Sequence, residues 1–452
     1  MKVIIIGGGI SGLSLAYFLL EKKPSLDVSV IESEKKAGGK IWTDRVDGYL
    51  CEGGVNGFLD NRPKTLELAS KLALTPLRSN DNARKRYIYS RGRLNLLPDS
   101  PPAFFASNLL SLPGRLRIIG ELFVPKWTGG DETLAHFARR RLGKEAFEKL
   151  IDPMASGIFA GDPEKMSLKS CFPKVYNLEQ TYGGLIRGML QLQKEAKKSG
   201  KKVGAGPGGT LTSFYEGMGT MINSLSAFLG ERLRTGVSAK SIDKKGKTYI
   251  VHLSDGSVLE ADGVVCAAPA FATAEMLKSL DKTLLSTLNE IYYPSVSVIC
   301  LGYKKERFAR SLNGFGFLVP FKEGRKILGT LWDSSVFPNR APEGYVLLRT
   351  MLGGARRSEM AELAEDKLIA LVMGELRDIM EIKIEPDFAK VYTHKKGIPQ
   401  YFPGHEEKIK ALDEIVKKFK GLYFTGNAYR GIGVNDCIEN SSKLAENILQ
   451  EI

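Results

Sequence analysis

The sequence predicts an α/β fold in which a parallel-sheet domain is assembled from three separated stretches, interrupted by a helical insertion and by a mixed-sheet domain. Three observations predict it. Lys2-Val3-Ile4-Ile5-Ile6 is a β-branched run of the kind buried on both faces of a parallel sheet. It leads into Gly7-Gly8-Gly9-Ile10-Ser11-Gly12 and then a helical pattern at Leu13, Ala16, Tyr17 and Leu20. A second strand–glycine–helix junction stands near residues 421–436. Between the two, residues 295–403 alternate like strands, whereas residues 83–202 show mostly helical spacing.

The first junction reads as a Rossmann-type dinucleotide fingerprint because every part of it is in place. The glycines match G-x-G-x-x-G, a second strand follows at Val28-Ser29-Val30-Ile31, and Glu32 lies 20 residues beyond Gly12. Gly7 permits the tight turn, Gly9 lets the backbone approach a pyrophosphate, and Gly12 lets helix and strand pack closely. The helix N-terminus at Ile10 and Ser11 holds phosphates, and Glu32 accepts from ribose hydroxyls. The same domain is expected to resume at residues 204–285, with strands near 233–237, 249–253, 258–260 and 264–267 and a turn at Asp255-Gly256-Ser257. It is expected to close at 415–452 with a helix from about 434 to 449. The remaining divisions are 1–82 for the first part, 83–203 for the insertion and 286–414 for a substrate domain. That last piece carries strands near 296–301, 316–319, 328–332 and 346–351 and a helix from about 358 to 379.

Composition narrows the class. The 452 residues suggest about three units at ~150 residues each, and 43% hydrophobic with 26% charged residues describes an ordinary globular chain. Glycine is abundant, 48 residues, as expected where backbone must approach a large cofactor. The five cysteines are scattered and odd in number, which fits a reducing compartment and no metal site. The first strand leaves no room for a leader, and no uncharged apolar run reaches 18 residues, so a cytoplasmic, non-spanning protein is expected.

The net charge is +14, and residues 83–202 hold 22 Lys and Arg against 11 Asp and Glu, so +11 of it lies there. The same stretch carries an apolar stripe: Phe104, Phe105, Leu109, Leu110, Leu112, Leu116, Ile118, Ile119, Leu122, Phe123 and Val124. Basic residues beside such a stripe suit a peripheral contact with an anionic membrane surface, on the inner face of the cytoplasmic membrane; the alternative is that the stripe is the segment's own core. Nucleic acid is not expected, because no recognition motif accompanies the charge.

Gly38-Gly39-Lys40 resembles the second pyrophosphate crossing of the amine-oxidase-like flavoproteins, and Gly217-Met218-Gly219 and the C-terminal junction resemble their remaining flavin segments. At Ile151-Asp152-Pro153-Met154-Ala155-Ser156-Gly157-Ile158-Phe159-Ala160-Gly161-Asp162-Pro163 the chain resembles, more narrowly, the oxygen-dependent protoporphyrinogen oxidases. So do Arg86-Tyr87-Ile88-Tyr89, Gly314-Phe315-Gly316-Phe317-Leu318-Val319-Pro320, Met351-Leu352-Gly353-Gly354, Gly397-Ile398-Pro399-Gln400-Tyr401 and the run 433–439, in family order along nearly the whole chain.

The resemblance implies non-covalent FAD, with cofactor contacts at Gly7, Gly9, Ile10, Ser11, Gly12, Glu32, Gly39, Lys40, Gly54, Val55, Val237, Trp332, Gly426 and Val434. It implies six-electron oxidation of protoporphyrinogen IX by dioxygen, with hydrogen peroxide released. Coproporphyrinogen III oxidation is the alternative within the family, and an FAD amine oxidase a more distant one. Of the substrate contacts it implies, Arg86 pairs with a propionate, Gly157 borders the cavity, Leu318, Leu331 and Met351 sandwich the macrocycle, and Asn56 lies near it. Val55 precedes Asn56 where relatives often carry proline. No side-chain base and no metal ligand is implied, and a homodimer is an open expectation.

Overall fold

The computed structural model describes residues 1–98, 103–104, 107–198, 208–308 and 311–451. Phe105 of the apolar stripe, Lys201, Lys202 and the boundary expected at 203/204 lie outside the described residues.

Five parallel strands run in the order Leu233–Arg234, Asp27–Ile31, Lys2–Ile6, Gly263–Cys266, Leu422–Phe424, so neighbours in the sheet come from three distant parts of the chain. Lys2–Ile6 is central, and Val3, Ile4 and Ile5 are fully buried, as a β-branched run covered on both faces requires. One face carries the helix Ile10–Lys22, buried at every residue from Ile10 to Leu20 because helices Gly219–Leu229 and Val434–Gln450 cover its outer side. The other face carries an antiparallel sheet, Ala239–Lys245, Thr248–Leu253 and Val258–Ala261, whose Ile242, Val251 and Leu253 pack on Ile4, Ile6 and Val264. The strand expected at 233–237 stops at Arg234, where the chain turns through Gly236 at φ +73°. Strand Ala239–Lys245, absent from the expected strands, carries three lysines, of which Lys240 and Lys245 are exposed and Lys244 donates to Tyr249 Oη and the Lys420 carbonyl.

A second, mixed sheet has seven strands in the order Phe388–His394, Val296–Lys304, Tyr345–Gly353, Ile327–Leu331, Gly316–Leu318, Arg86–Ser90, Arg93–Leu96. Here the structure departs from the expectation of a helical segment beginning at residue 83. Arg86–Ser90 and Arg93–Leu96 form a hairpin, and the first of them pairs in parallel with Gly316–Leu318. The reason is local: Arg91 and Gly92 both take positive φ, +56° and +74°, which closes a two-residue turn of the hand that fits twisted strands. One face of this sheet is sealed by helix Glu365–Met380, which follows a short 3-10 turn at Ser358–Glu362 instead of running unbroken from residue 358. The other face meets the hairpin Thr43–Val46/Tyr49–Glu52 through Tyr49, Cys51, Val298, Cys300 and Leu347.

From Leu112 to Lys198 the insertion is helical, and at its centre is an ionic cluster. Arg141 is fully buried; its guanidinium donates to Glu121 (2.9 Å), to Glu179 (2.5 and 3.0 Å) and to the Val124 and Gly183 carbonyls. Glu121 in turn accepts from the Leu185 and Ile186 amides, satisfying two orphan donors at the start of helix Leu185–Lys198. Burial alone would raise Glu179, but Arg140 and Arg141 hold it below the usual carboxylate range. The apolar stripe divides. Leu109 and Leu110 are buried, whereas Leu112, Leu116, Ile119 and Phe123 are exposed, at spacings of four, three and four that place them along one helical side. Among the described residues no helix is long and apolar enough to cross a membrane.

Candidate active site

The turn between Lys2–Ile6 and Ile10–Lys22 is built by close backbone approach. A Cβ on Gly12 would lie 2.0 Å from the Gly7 carbonyl oxygen, and one on Gly7 would lie 2.8 Å from the backbone at Ala267 and Ala268. Gly9, the residue before the helix, is different: a Cβ there would meet nothing within 4 Å, and no side chain caps the helix. Unclaimed helix N-terminal amides beside open space form a cradle for phosphate oxygens. The double-glycine segment closes one side of it, with Gly38 N–H donating to the Gly8 carbonyl at 2.8 Å and Gly39 packed on Gly9.

Glu32 is buried at the end of its strand, with Oε2 accepting from Gly8 N–H (2.7 Å) and Oε1 from Glu34 N–H (2.8 Å). Val237 N–H donates to the Glu32 carbonyl, which brings this expected cofactor contact to the same corner. Ser441 Oγ donates to the Ser11 carbonyl, tying the C-terminal helix and its first residue, Val434, to the same side of the sheet as the fingerprint. Lys40 turns away, its Nζ donating to the Lys396 carbonyl.

The mixed sheet supplies the second half of the site. Strand register aligns Arg86, Gly316, Leu331 and Arg349 in one cross-strand row, and Ile88, Leu318, Gly329 and Met351 in the next. Because side chains alternate along a strand, both rows look out of the same face. Arg86, Leu318, Leu331 and Met351 are therefore brought together, and Leu318, Leu331 and Met351 stay partly open although they lie inside the sheet. Opposite them, helix Asp152–Phe159 presents Gly157, where a Cβ would come within 2.5 Å of Leu318 Cδ2. Arg86 is open to solvent, yet the protein around its guanidinium lowers its pKa by desolvation, as for a cation lining a cleft. Phe315 lies under it at 5.3 Å. Trp332 is not on this face: it packs in the core below the sheet against Tyr87.

The loop between the two halves is pinned from the sheet. Arg349 Nη1 donates to the Glu52 and Gly54 carbonyls at 3.3 and 2.9 Å, and His394 Nε2 donates to the Gly53 carbonyl at 2.8 Å. Burial lowers the His394 pKa, against the hydrogen bond to Gly53 that raises it. Gly54 has no room for a side chain, since a Cβ would lie 2.2 Å from the Lys40 carbonyl oxygen. Asn56 donates to Asp333 at 3.4 Å, and Asp333 pairs with Arg349 at 3.1 Å. Sequence reasoning missed Arg349, Asp333 and His394. A signal existed for two of them: Arg349 is a lone charge inside an apolar strand and Asp333 an opposite charge just after another, and buried charges demand partners.

The family model of flavin containing amine oxidoreductases matches residues 10–449. Coproporphyrinogen III oxidase of Bacillus subtilis (strain 168) is 31% identical over 462 residues, spanning 99% of this chain and 97% of that one. The chain belongs to the protoporphyrinogen oxidase family of these flavoproteins. Another family member, the chloroplastic protoporphyrinogen oxidase of Oryza sativa subsp. japonica, is 33% identical, covering 98% of this chain and 87% of its own. The fold is shared with a solved putative protoporphyrinogen oxidase from Exiguobacterium sp. 255-15, at a TM-score of 0.86 and 24% identity over 100% of this chain and 99% of that chain. As a member of the family the protein is a flavin-dependent oxidoreductase, and the phosphate cradle at Gly9 fits such a cofactor.

Proposed function

We propose that the protein binds FAD and oxidises protoporphyrinogen IX to protoporphyrin IX, with dioxygen as acceptor and hydrogen peroxide as by-product. The observation that carries this reading is the strand register, which gathers Leu318, Leu331 and Met351 on one sheet face, with Arg86 in the same row and Gly157 packed against Leu318. A flat, largely apolar macrocycle with carboxylates on one edge fits an apolar face with a cation in its row. When bound, the flavin supplies the electron sink that takes hydride from carbon and passes the electrons to dioxygen. The chain's own part is orientation: Arg86 anchors a propionate, the apolar pair of walls excludes water, and Gly157 admits the ring closely. The side chains on the two rows hold no group that takes a proton near neutral pH, so pyrrole protons go to water or to the substrate's own nitrogens.

The relationship to a bacterial coproporphyrinogen III oxidase favours a second reading, a tetracarboxylate substrate. Against it, the second cation in the row, Arg349, is committed to Asp333 and to two loop carbonyls. Rates with protoporphyrinogen and coproporphyrinogen, side by side under air, decide between them. Faster turnover of the dicarboxylate supports the proposal; no porphyrin above autoxidation from either ends both readings. Arg86→Ala is expected to raise the Michaelis constant about tenfold while flavin content holds, since a charge-assisted hydrogen bond is worth ~1.5–3 kcal/mol. An unchanged constant would make Arg86 a surface residue.

For the exposed side of the insertion, we propose contact with anionic lipid: Leu112, Leu116, Ile119 and Phe123 form the apolar edge within the strongly basic stretch. Phe123→Glu should reduce sedimentation with phosphatidylglycerol vesicles several-fold and leave turnover in detergent unchanged, ~1 kcal/mol per basic residue being lost in parallel as salt is raised.

A further inference from the structure

Asp333 is fully buried, and its carboxylate lies between Arg349 and Asn56. Burial raises its pKa, the Arg349 and Arg340 guanidiniums opposing this only in part. Its Oδ2 faces the Arg349 guanidinium at 3.1 Å and its Oδ1 takes the Asn56 amide nitrogen at 3.4 Å, so both oxygens are engaged as acceptors. That fixes the other end of the amide: Asn56 Oδ1 is left as an acceptor, and it is buried with no protein partner. A buried acceptor without a donor is uncommon, and at a ligand site it is the place where a bound molecule supplies the missing N–H. The backbone carrying Asn56 is held as firmly as its side chain. Three consecutive carbonyls, of Glu52, Gly53 and Gly54, are taken by Arg349 and His394 from two strands of the mixed sheet.

We propose that Asp333, held by Arg349, is a positioning residue that turns the Asn56 amide so that its carbonyl is offered to an N–H donor, either of the bound flavin or of the substrate's pyrroles. The proposal rests on the porphyrinogen oxidase reading for the second donor and only on the family's flavin for the first. Asp333→Asn removes the obligation: an amide at 333 presents nitrogen or oxygen equally, and Asn56 loses its single orientation.

The test is a double-mutant cycle on the holoprotein with Asp333→Asn, Asn56→Ala and the two combined, read by kcat, by the Michaelis constant and by the circular dichroism and dissociation constant of the flavin without substrate. Each single variant is expected to lower kcat about tenfold with less than a threefold change in the Michaelis constant, and the double variant to be no worse than either, because one residue acts through the other. If the donor is the flavin, both singles also change the flavin dichroism before substrate is added; if it is a pyrrole, the flavin signals stay as in wild type and only turnover falls. Should Asp333→Asn fail to fold with Arg349 unpaired, the neutral pair Asp333→Asn/Arg349→Gln takes its place in the cycle. Losses that multiply overturn the proposal, as does an Asp333→Asn protein with wild-type kcat and wild-type flavin dichroism. A wild-type holoprotein that turns over no porphyrinogen overturns the functional reading instead, and the flavin signals then decide the positioning role alone.

Discussion

Gly12→Ala is expected to give a protein that binds flavin at least about tenfold more weakly than wild type, a loss of ~1.4 kcal/mol or more. The added methyl would lie 2.0 Å from the Gly7 carbonyl oxygen, and both sides of that clash are backbone, so no rotamer relieves it. The first turn of helix Ile10–Lys22 must lift away from the strand, and the cradle opens with it. Gly9→Ala is the companion measurement. Its methyl meets no protein atom within 4 Å, so the apoprotein should unfold at the wild-type temperature while phosphate approach is obstructed. Flavin titration and thermal melts of both apoproteins check the pair. Equal flavin affinity in Gly12→Ala and wild type would remove the fingerprint from the binding site.

Arg141→Met should destabilise the helical insertion by ~3–5 kcal/mol, because Glu121 and Glu179 would remain as buried charges with their central partner gone. The cost falls on one region. Limited proteolysis is expected to cut within residues 107–198 at rates far above wild type, with the parallel sheet still protected. A triple change, Arg141→Met with Glu121→Gln and Glu179→Gln, removes the charges together and should recover most of the resistance. Unchanged cleavage in the single variant would mean that the apolar contacts of the segment suffice without the cluster.

Much of the flavin half was legible in the sequence, because its constraints are local: Gly7, Gly9, Gly12 and Glu32 sit at fixed offsets along one strand–turn–helix unit. Leu318, Leu331, Met351 and Arg86 came through resemblance, and only strand register shows why these four, far apart in the chain, share a face. Arg86 also illustrates a failure. Its neighbours Arg84, Lys85, Arg91 and Arg93 add four more basic residues and no long alternation, so the hairpin merges with the helical spacing that follows, and only the Arg91-Gly92 turn marks it. The clamp of Arg349, Asp333 and His394 was not legible in full, since each residue acts on a loop more than 270 residues away in sequence. Partnership over that distance has no periodicity to read.

The interleaved strand order has a consequence for synthesis. Lys2–Ile6 is made first but is flanked by Asp27–Ile31 and Gly263–Cys266, and the sheet is completed by Leu422–Phe424. At ~5–20 residues per second, roughly 20 to 80 s separate the first strand from the last. Until Gly263–Cys266 is made, one edge of the β-branched strand Lys2–Ile6 keeps its hydrogen-bonding groups unpaired, an edge open to aggregation. The cofactor site therefore takes shape only once strands from three distant parts of the chain are all present.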